Sequence, residues 1–416
     1  MPASHLNIAP AMIQNNTSFS SIVAAGYGNN DQNISFPLIA LSEDNGNHWS
    51  YVLDDKTLPL PNDFRSLDGT DGKLSCDHQD CVLAMNYRTK KSYRSAILLA
   101  TTHDGGHHWA YTLDGQSSII PKDQQTSSFI NDINCADGTC VVASGHFLLV
   151  SQNAGTDWQL VPMKNKDYAS DVTCNNSQCL IAGITTKADK HYIFIARSTD
   201  KGMHWNDQVT HQDLEGQLNS ISCHDKTCVA AGYSDSDSPQ PLLLTSQNSG
   251  ENWKSVNIPR SPKVPENLNG GLNSAVCDTS HCFMDGVYSD FSDLSDESPY
   301  VIVTGMSDSA GLNWKFSYLE SIRDNENLNY LVSSFPNKSD SCFVYEYSLH
   351  CSGDTCVAAG TCDTPNDEND KGYTPTPLVA MTWDRGLHWE FPIDSNIPHL
   401  PSNFKSGEFA TSALIN

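Results

Sequence analysis

The stretch Ser198-Thr199-Asp200-Lys201-Gly202-Met203-His204-Trp205 fits the pattern S/T-x-D-x-G-x-x-W, and its recurrence decides how the chain is built. The pattern returns as Ser42 to Trp49 with Asp44, as Thr102 to Trp109 with Asp104, and as Thr382 to Trp389 with Asp384. Ser151 to Trp158 and Ser246 to Trp253 carry Asn153 and Asn248 in the acidic place, and Ser307 to Trp314 carries Ser309. Seven of the eight tryptophans are thereby accounted for, which chance does not produce. A short acid or amide can accept bonds from the N–H groups of a turn. The glycine permits a positive φ, and the tryptophan anchors the hairpin by burial. Apolar runs such as Pro241-Leu-Leu-Leu-Thr245 and Lys254-Ser-Val-Asn-Ile258 flank each copy, so each copy is expected to be a β-hairpin turn.

A second repeat interleaves with the first. C-x4-C occurs at Cys76/Cys81, Cys135/Cys140, Cys174/Cys179, Cys223/Cys228, Cys277/Cys282 and Cys351/Cys356. Its setting is constant, as in Ser220-Ile-Ser-Cys223 leading in and Cys228-Val-Ala-Ala-Gly232 leading out. Cysteines facing across such a hairpin stand about 4.5–5.5 Å apart at Cα, which a disulfide tolerates. Closing so short a loop contributes about 2 kcal/mol. Zinc is the competing reading, but each pair offers two ligands where a structural zinc takes four. Cys342 and Cys362 remain, flanking the Cys351/Cys356 hairpin, and are expected to form a second bond across that ladder.

Each repeat therefore reads strand, C-x4-C turn, strand, loop, strand, box turn, strand. Successive box tryptophans lie 60, 49, 47, 48, 61 and 75 residues apart, near the repeat length of four-stranded propeller blades. The predicted fold is all-β: a single seven-bladed β-propeller of four-stranded antiparallel blades, closed by the C-terminal strand joining the N-terminal blade. Seven boxes against six C-x4-C pairs carry the closure. Residues 19–28 match a second strand with nothing before it, and residues 407–416 resemble the missing first strand. The expected blades are 19–54 with 407–416, then 71–114, 127–163, 168–210, 217–258, 271–319 and 343–394. Residues 1–18 are read as an N-terminal extension.

The signature resembles the Asp-box, or BNR-repeat, propellers, a group that includes sialidases, xyloglucanases, the sortilin ectodomain and photosystem II assembly-factor propellers. The phrase Ala-Ala-Gly, then Leu-Leu-Thr-Ser, then the box is most similar to the assembly-factor type. The resemblance implies fold far more than function. A sialidase-like site would need three converging arginines with a Tyr/Glu pair and an Asp. The seven arginines here, Arg65, Arg88, Arg94, Arg197, Arg260, Arg323 and Arg385, are scattered. No hydrolase elbow, zinc-protease motif or phosphate loop is present.

Fourteen cysteines point to an oxidising compartment, so the protein is expected to be secreted or periplasmic. The start, MPASHLNIAPAMIQNN, is no signal peptide, and one is expected to have been removed. Lys and Arg total 24 against 49 acids, for a net charge of −25, which disfavours nucleic acid and anionic membranes as partners. No apolar run is long enough to insert into a bilayer. His48, His108, His204 and His388 each precede a box tryptophan, which argues for a structural role on the following strand; weak metal binding by His107 and His108 is the minor reading.

Both motif turns fall on one face of such a ring, leaving the other face to the variable loops, where binding residues concentrate. Those loops carry Asp235 and Asp237, then Asp290, Asp293, Asp296 and Glu297, then Asp363, Asp367, Glu368 and Asp370. These acids read either as solvated loop charges or as a patch for a basic protein surface. Calcium is a lesser option, because no D-x-D-x-D-G loop is present. Tyr288, Phe291, Tyr330, Phe335 and Tyr373 supply aromatic anchors, and Arg88, Lys90, Lys91 and Arg94 form a basic loop elsewhere. The sequence thus favours a non-enzymatic interaction module for a protein partner with no cofactor. A divergent glycoside hydrolase or a glycan-binding, lectin-like propeller is the alternative.

Overall fold

The computed structural model describes residues 21–44, 46–53, 59–68, 72–90, 95–122, 129–163, 167–175, 177–209, 214–235, 238–262, 264–266, 268–277, 281–289, 300–307, 311–320, 343–352, 355–365, 373–382, 390–393, 400–401 and 404–415. These residues form seven antiparallel sheets, six of four strands and one of five. Each sheet begins at one edge strand, termed its inner strand. The inner strands, in sheet order, are Phe404–Ile415, Lys73–Asp77, Asp132–Ala136, Asp167–Asn175, Gly216–His224, Asn269–Cys277 and Phe343–Ser352. Sheet one draws its strands from both ends of the chain. Phe404–Ile415 pairs antiparallel with Ser21–Asn30, setting Leu414 opposite Ile22 and Gly407 opposite Gly28.

Five disulfides close the hairpins at Cys76–Cys81, Cys135–Cys140, Cys174–Cys179, Cys223–Cys228 and Cys277–Cys282, with Cα atoms 4.1 Å apart in each. That separation is shorter than the sequence spacing led us to expect. The pair sits one step from a two-residue turn, in the non-hydrogen-bonded register where strands draw closest. Cys351 stands opposite Cys356 in the ladder, but their side chains, and all of Cys342, lie outside the described residues, so the expected Cys342–Cys362 bond is not described. In sheet one Ile22 faces both Ser42 and Leu414, as Cys81 faces Thr102 and Cys76 in sheet two. An apolar pair thus takes the staple position there.

The sheets stack face to face in series. One apolar cluster holds Leu41 and Leu83 between sheets one and two, and another holds Val82 and Val142 between two and three. Val141 and Ile181 bridge three and four, Ala182 and Ala230 four and five, and Val229 and Leu272 five and six. Val379 and Leu38 join sheet seven to sheet one. Each large aliphatic side chain so buried contributes about 1.5–3 kcal/mol. The box glycine completes the joint. Gly106 has φ +96°, and a Cβ there would stand 3.1 Å from Val23 and 3.3 Å from Leu41 of the preceding sheet.

The Ala-Ala-Gly phrase has its own cause. In sheets one, four, five, six and seven the register between the inner and second strands shifts, opposite Gly26, Gly183, Gly232, Gly286 and Gly360. The bulge brings backbone so close that a Cβ on Gly183 would collide with the Tyr168 carbonyl, and one on Gly232 with the Gln217 carbonyl. Sheet three pairs without a shift and carries Ser144 at this place. Sheet two departs from the expected 71–114. Its inner position is split between Phe64–Leu67 and Lys73–Asp77, both paired with Asp80–Thr89. The Asp68-Gly-Thr-Asp-Gly72 insertion separates the two pieces and hid the first from the repeat pattern.

Replacing Gly232 by Ala is expected to lower unfolding free energy by about 1–3 kcal/mol through overpacking of the bulge, measured by denaturant titration. Ser144→Gly, at the same repeat position without a bulge, is expected to cost about 1 kcal/mol or less.

Candidate functional site

The box turns show what their residues do. The first residue's hydroxyl accepts the glycine N–H, at 2.8 Å from Gly46 to Ser42 and 2.9 Å from Gly202 to Ser198. The third residue accepts the N–H four positions on, at 2.9 Å for Asp104 with His108, Asp200 with His204, Asn153 with Asp157 and Asn248 with Asn252. Trp49, Trp109, Trp205, Trp253 and Trp314 each donate Nε1–H to the box glycine carbonyl, whereas Trp158 donates to Thr112. Asp384, Trp389 and Ser309 lie outside the described residues. The histidines do not stand on the outer strand, where they were expected. His48, His108 and His204 stand in the turn, 85–90% exposed, with Nδ1 2.5–2.6 Å from the box aspartate. They lock the acid from the solvent side.

Backbone bonds from Gly105 to Gln79 and from Ala154 to Gly138 tie box turn to staple turn, so the two motifs share one face. The acids singled out in the sequence are expected on the opposite, loop face. Of these, Asp235 and Asp363 fall within the described residues; Asp237, Asp290, Asp293, Asp296, Glu297, Asp367, Glu368 and Asp370 lie outside them. Asp235 is exposed and donates its N–H to the Glu215 carbonyl at 2.9 Å. Asp363 stands in the ladder opposite Phe343 and Pro375, two sheets further on. The two therefore stand on separate sheets. Glu215 pairs with Lys190, whose ammonium is held above its ordinary range first by that bond, then by the charges of Glu215, Tyr192 and Asp235. Beside them Tyr233 donates to Gln217, which donates to Asn219 at 2.8 Å.

The described arginines are engaged. Arg88 binds Asp68 at 2.7 Å and Arg197 binds Glu251 at 3.5 Å. Arg260 lies 5.2 Å over the Tyr288 ring and donates to Gln240, Pro265 and Leu268, clamping the connection into sheet six. In the basic loop, Lys90 donates to the Asn62 carbonyl at 3.1 Å. Among the described residues no group of three or more His, Cys, Asp or Glu side chains is arranged to hold a metal. No described helix is long and apolar enough to cross a membrane.

The inner strands carry a polar series that the loops drew attention away from. In sheets three to six the inner strand has an open edge, and a side chain of the preceding sheet satisfies it. Ser75 accepts the Cys135 N–H at 2.9 Å, Asn134 that of Cys174 at 2.9 Å, Thr173 that of Cys223 at 3.2 Å and Ser222 that of Cys277 at 3.1 Å. Further from the staples, Asp132 accepts from Val172 at 3.3 Å, Asp171 from Ile221 at 2.6 Å and Ser220 from Ala275 at 3.2 Å. The polar residue before each of these first cysteines was the available signal. Asp285 is a second missed residue. It stands three positions after Cys282, where the other six sheets carry Ala25, Ala84, Ala143, Ala182, Ala231 and Ala359. Burial pushes its carboxyl up to about 6, against the opposing bonds from Ser274 and Asn273.

No family model and no curated protein sequence matches the chain. Among solved structures, the β-propeller domain of the Trilobed protease from Pyrococcus furiosus is 9% identical, with 92% of this chain and 96% of that chain covered at a TM-score of 0.48. A GH43 endo-arabinanase from Bacillus licheniformis is 10% identical over 77% of this chain and 96% of its own, at 0.32. A GH93 α-L-arabinofuranosidase of Fusarium graminearum is 10% identical over 76% and 82%, at 0.35. Likenesses at these values fix no activity for this chain.

Acid should loosen some box turns and spare others. Burial raises the Asp104 and Asp200 carboxyls, but the bonds from His108 with Thr102, and from His204 with Ser198, outweigh it and hold both at about 2. Their contribution is complete above the unfolded value of about 3.9 and fades as pH falls toward 2. Hydrogen exchange should show the His108 and His204 amides losing protection across that window. The Asp157 and Asn252 amides, bonded to Asn153 and Asn248, should keep theirs.

Proposed function

We propose that the chain is a seven-bladed β-propeller, closed by its C-terminal strand, that works outside the cytoplasm as a non-catalytic interaction module. Its loop face binds a protein partner with a basic surface. The ring reading is supported by seven stacked sheets and by the pairing of residues 404–415 with 21–30. The five disulfides support an oxidising location.

The observation that carries the binding reading is acid accumulated at the loop ends of neighbouring strands. Glu215 and Asp235 are bonded backbone to backbone, with Lys190 paired to Glu215, in a chain of net charge −25. Such a field speeds encounter with a cationic surface and is screened by salt. The acids from Asp290 to Glu297 and from Asp363 to Asp370 extend the same chemistry in this reading. A glycan is the second reading, favoured by Tyr233 beside Gln217 and by Tyr168 donating to Asn131 at 3.1 Å, rings flanked by amides.

Charge reversal of Asp235, Asp290, Asp293 and Asp296 to Lys is expected to cut recovery of a basic partner at least tenfold at low salt, with the fold intact by circular dichroism. Unchanged recovery would discard the patch. A glycan array probed with the wild-type chain separates the second reading, and turnover of a bound glycan would favour the hydrolase.

A further inference from the structure

Sheet three stops short at its loop end. Its second strand, Thr139–Ser144, ends soon after Cys140, whereas Asp80–Thr89 of sheet two and Gln178–Lys187 of sheet four run on past their cysteines. The shortfall of about four residues spans about 13 Å of strand, so a notch opens over sheet three between two taller neighbours. The chain reverses there in two residues, Gly145 and His146, with Ser144 paired to Phe147 and Gly145 at φ +61°.

Aromatic rings gather in this notch. Tyr168, from the inner strand of sheet four, lies across the turn, and a Cβ on Gly145 would stand 2.7 Å from its ring. The same ring meets His146 edge to face, with centroids 5.3 Å apart at 81°. Phe129 stands just ahead of the inner strand of sheet three and is 56% exposed; its carbonyl accepts the Ser144 hydroxyl at 3.1 Å. Tyr192 of sheet four is half-buried and shares a face of its strand with Phe194, which packs against sheet three.

The framework beneath the rings is tied down. Asn131 donates its backbone N–H to Ala143 at 2.9 Å and its amide to the Ala169 carbonyl at 2.6 Å, and it accepts the Tyr168 hydroxyl at 3.1 Å. Ala169 donates to the Gly145 carbonyl at 2.8 Å, and Met163 to the His146 carbonyl at 3.2 Å. His146 Nδ1 stands 3.1 Å from the Asp167 carbonyl, which can only accept, so Nδ1 carries the hydrogen. The other ring nitrogen, Nε2, takes part in no bond among the described residues, and the side chain is exposed.

We propose that this notch binds a neutral saccharide, whose C–H face stacks on Phe129 while a hydroxyl bonds His146 Nε2. The proposal rests on the glycan reading above and gives it a place on sheet three.

The lining selects the ligand. Ring faces match the apolar face of a sugar, and a fixed polar nitrogen beside them matches its hydroxyl groups. Nearby charges are spent: Arg88 binds Asp68, Lys190 binds Glu215, and Asp167 is buried. An ionic ligand would have to compete with those pairs, and a wholly apolar one would leave the His146 nitrogen without a partner. The bonds that hold Tyr168 and His146 leave little ordering to be done on binding.

The test reads wild type, Phe129→Ala, His146→Ala and Tyr233→Ala on a printed array of neutral and acidic glycans, with each fold checked by circular dichroism. Wild type should be retained by neutral glycans. Phe129→Ala and His146→Ala should lose that retention at least tenfold, and Tyr233→Ala should keep it. Full retention by both notch variants overturns the site and leaves the glycan reading standing. Retention of wild type by acidic glycans alone also overturns the site, and retention by none overturns the site and the glycan reading together. Should Phe129→Ala fail to fold, His146→Ala decides alone.

Discussion

A four-stranded sheet with two apolar faces cannot bury either by itself. Everything else in this molecule follows from that constraint, because each sheet must find another on both sides. The chain meets it by repetition. Leu83 of sheet two turns toward sheet one while Val82, its neighbour, turns toward sheet three, and alternation along one strand supplies both contacts. The box glycine lets each turn reach under the preceding sheet, which a side chain would prevent at Gly46, where Met381 already fills the space.

Stacking solves the faces and leaves the edges. An unpaired inner edge exposes N–H groups that would template association or stay unsatisfied. Here short polar side chains from the preceding sheet take those groups in turn, through Ser75, Asn134, Thr173 and Ser222. Sheet six has Val276 in that place, so this bond cannot be passed on to sheet seven. Where Asp132 and Asp171 replace a hydroxyl in the parallel series, the edge is satisfied equally well, at the cost of two acids side by side. A structural demand and a titratable group thus share one position.

What the sequence made legible was local. The box turn closes its bonds within four residues, from Ser198 to Gly202 and from Asp200 to His204, so spacing alone reveals it. The staples join residues five apart in sequence. The terminal pairing was readable for another reason, since a missing C-x4-C in the first repeat required a strand from elsewhere. Leu414 opposite Ile22 now accounts for the missing cysteines. Bonds between sheets span about one repeat length, as from Asn134 to Cys174, and the short polar residue before a first cysteine signals them only when the four copies are set side by side. The loop acids attracted notice by abundance, while Asp132, Asp171 and Asp285 were hidden by occurring singly in strand-like surroundings.

The claim that the two chain ends complete one sheet is open to a covalent test. Ile22 and Leu414 occupy the places that cysteines hold in the stapled sheets, so Ile22→Cys combined with Leu414→Cys should oxidise spontaneously. The account predicts a circularised chain of altered gel mobility, two mass units lighter by loss of two hydrogens, with a raised unfolding midpoint. Two free thiols persisting under oxidising conditions in the folded protein would contradict it.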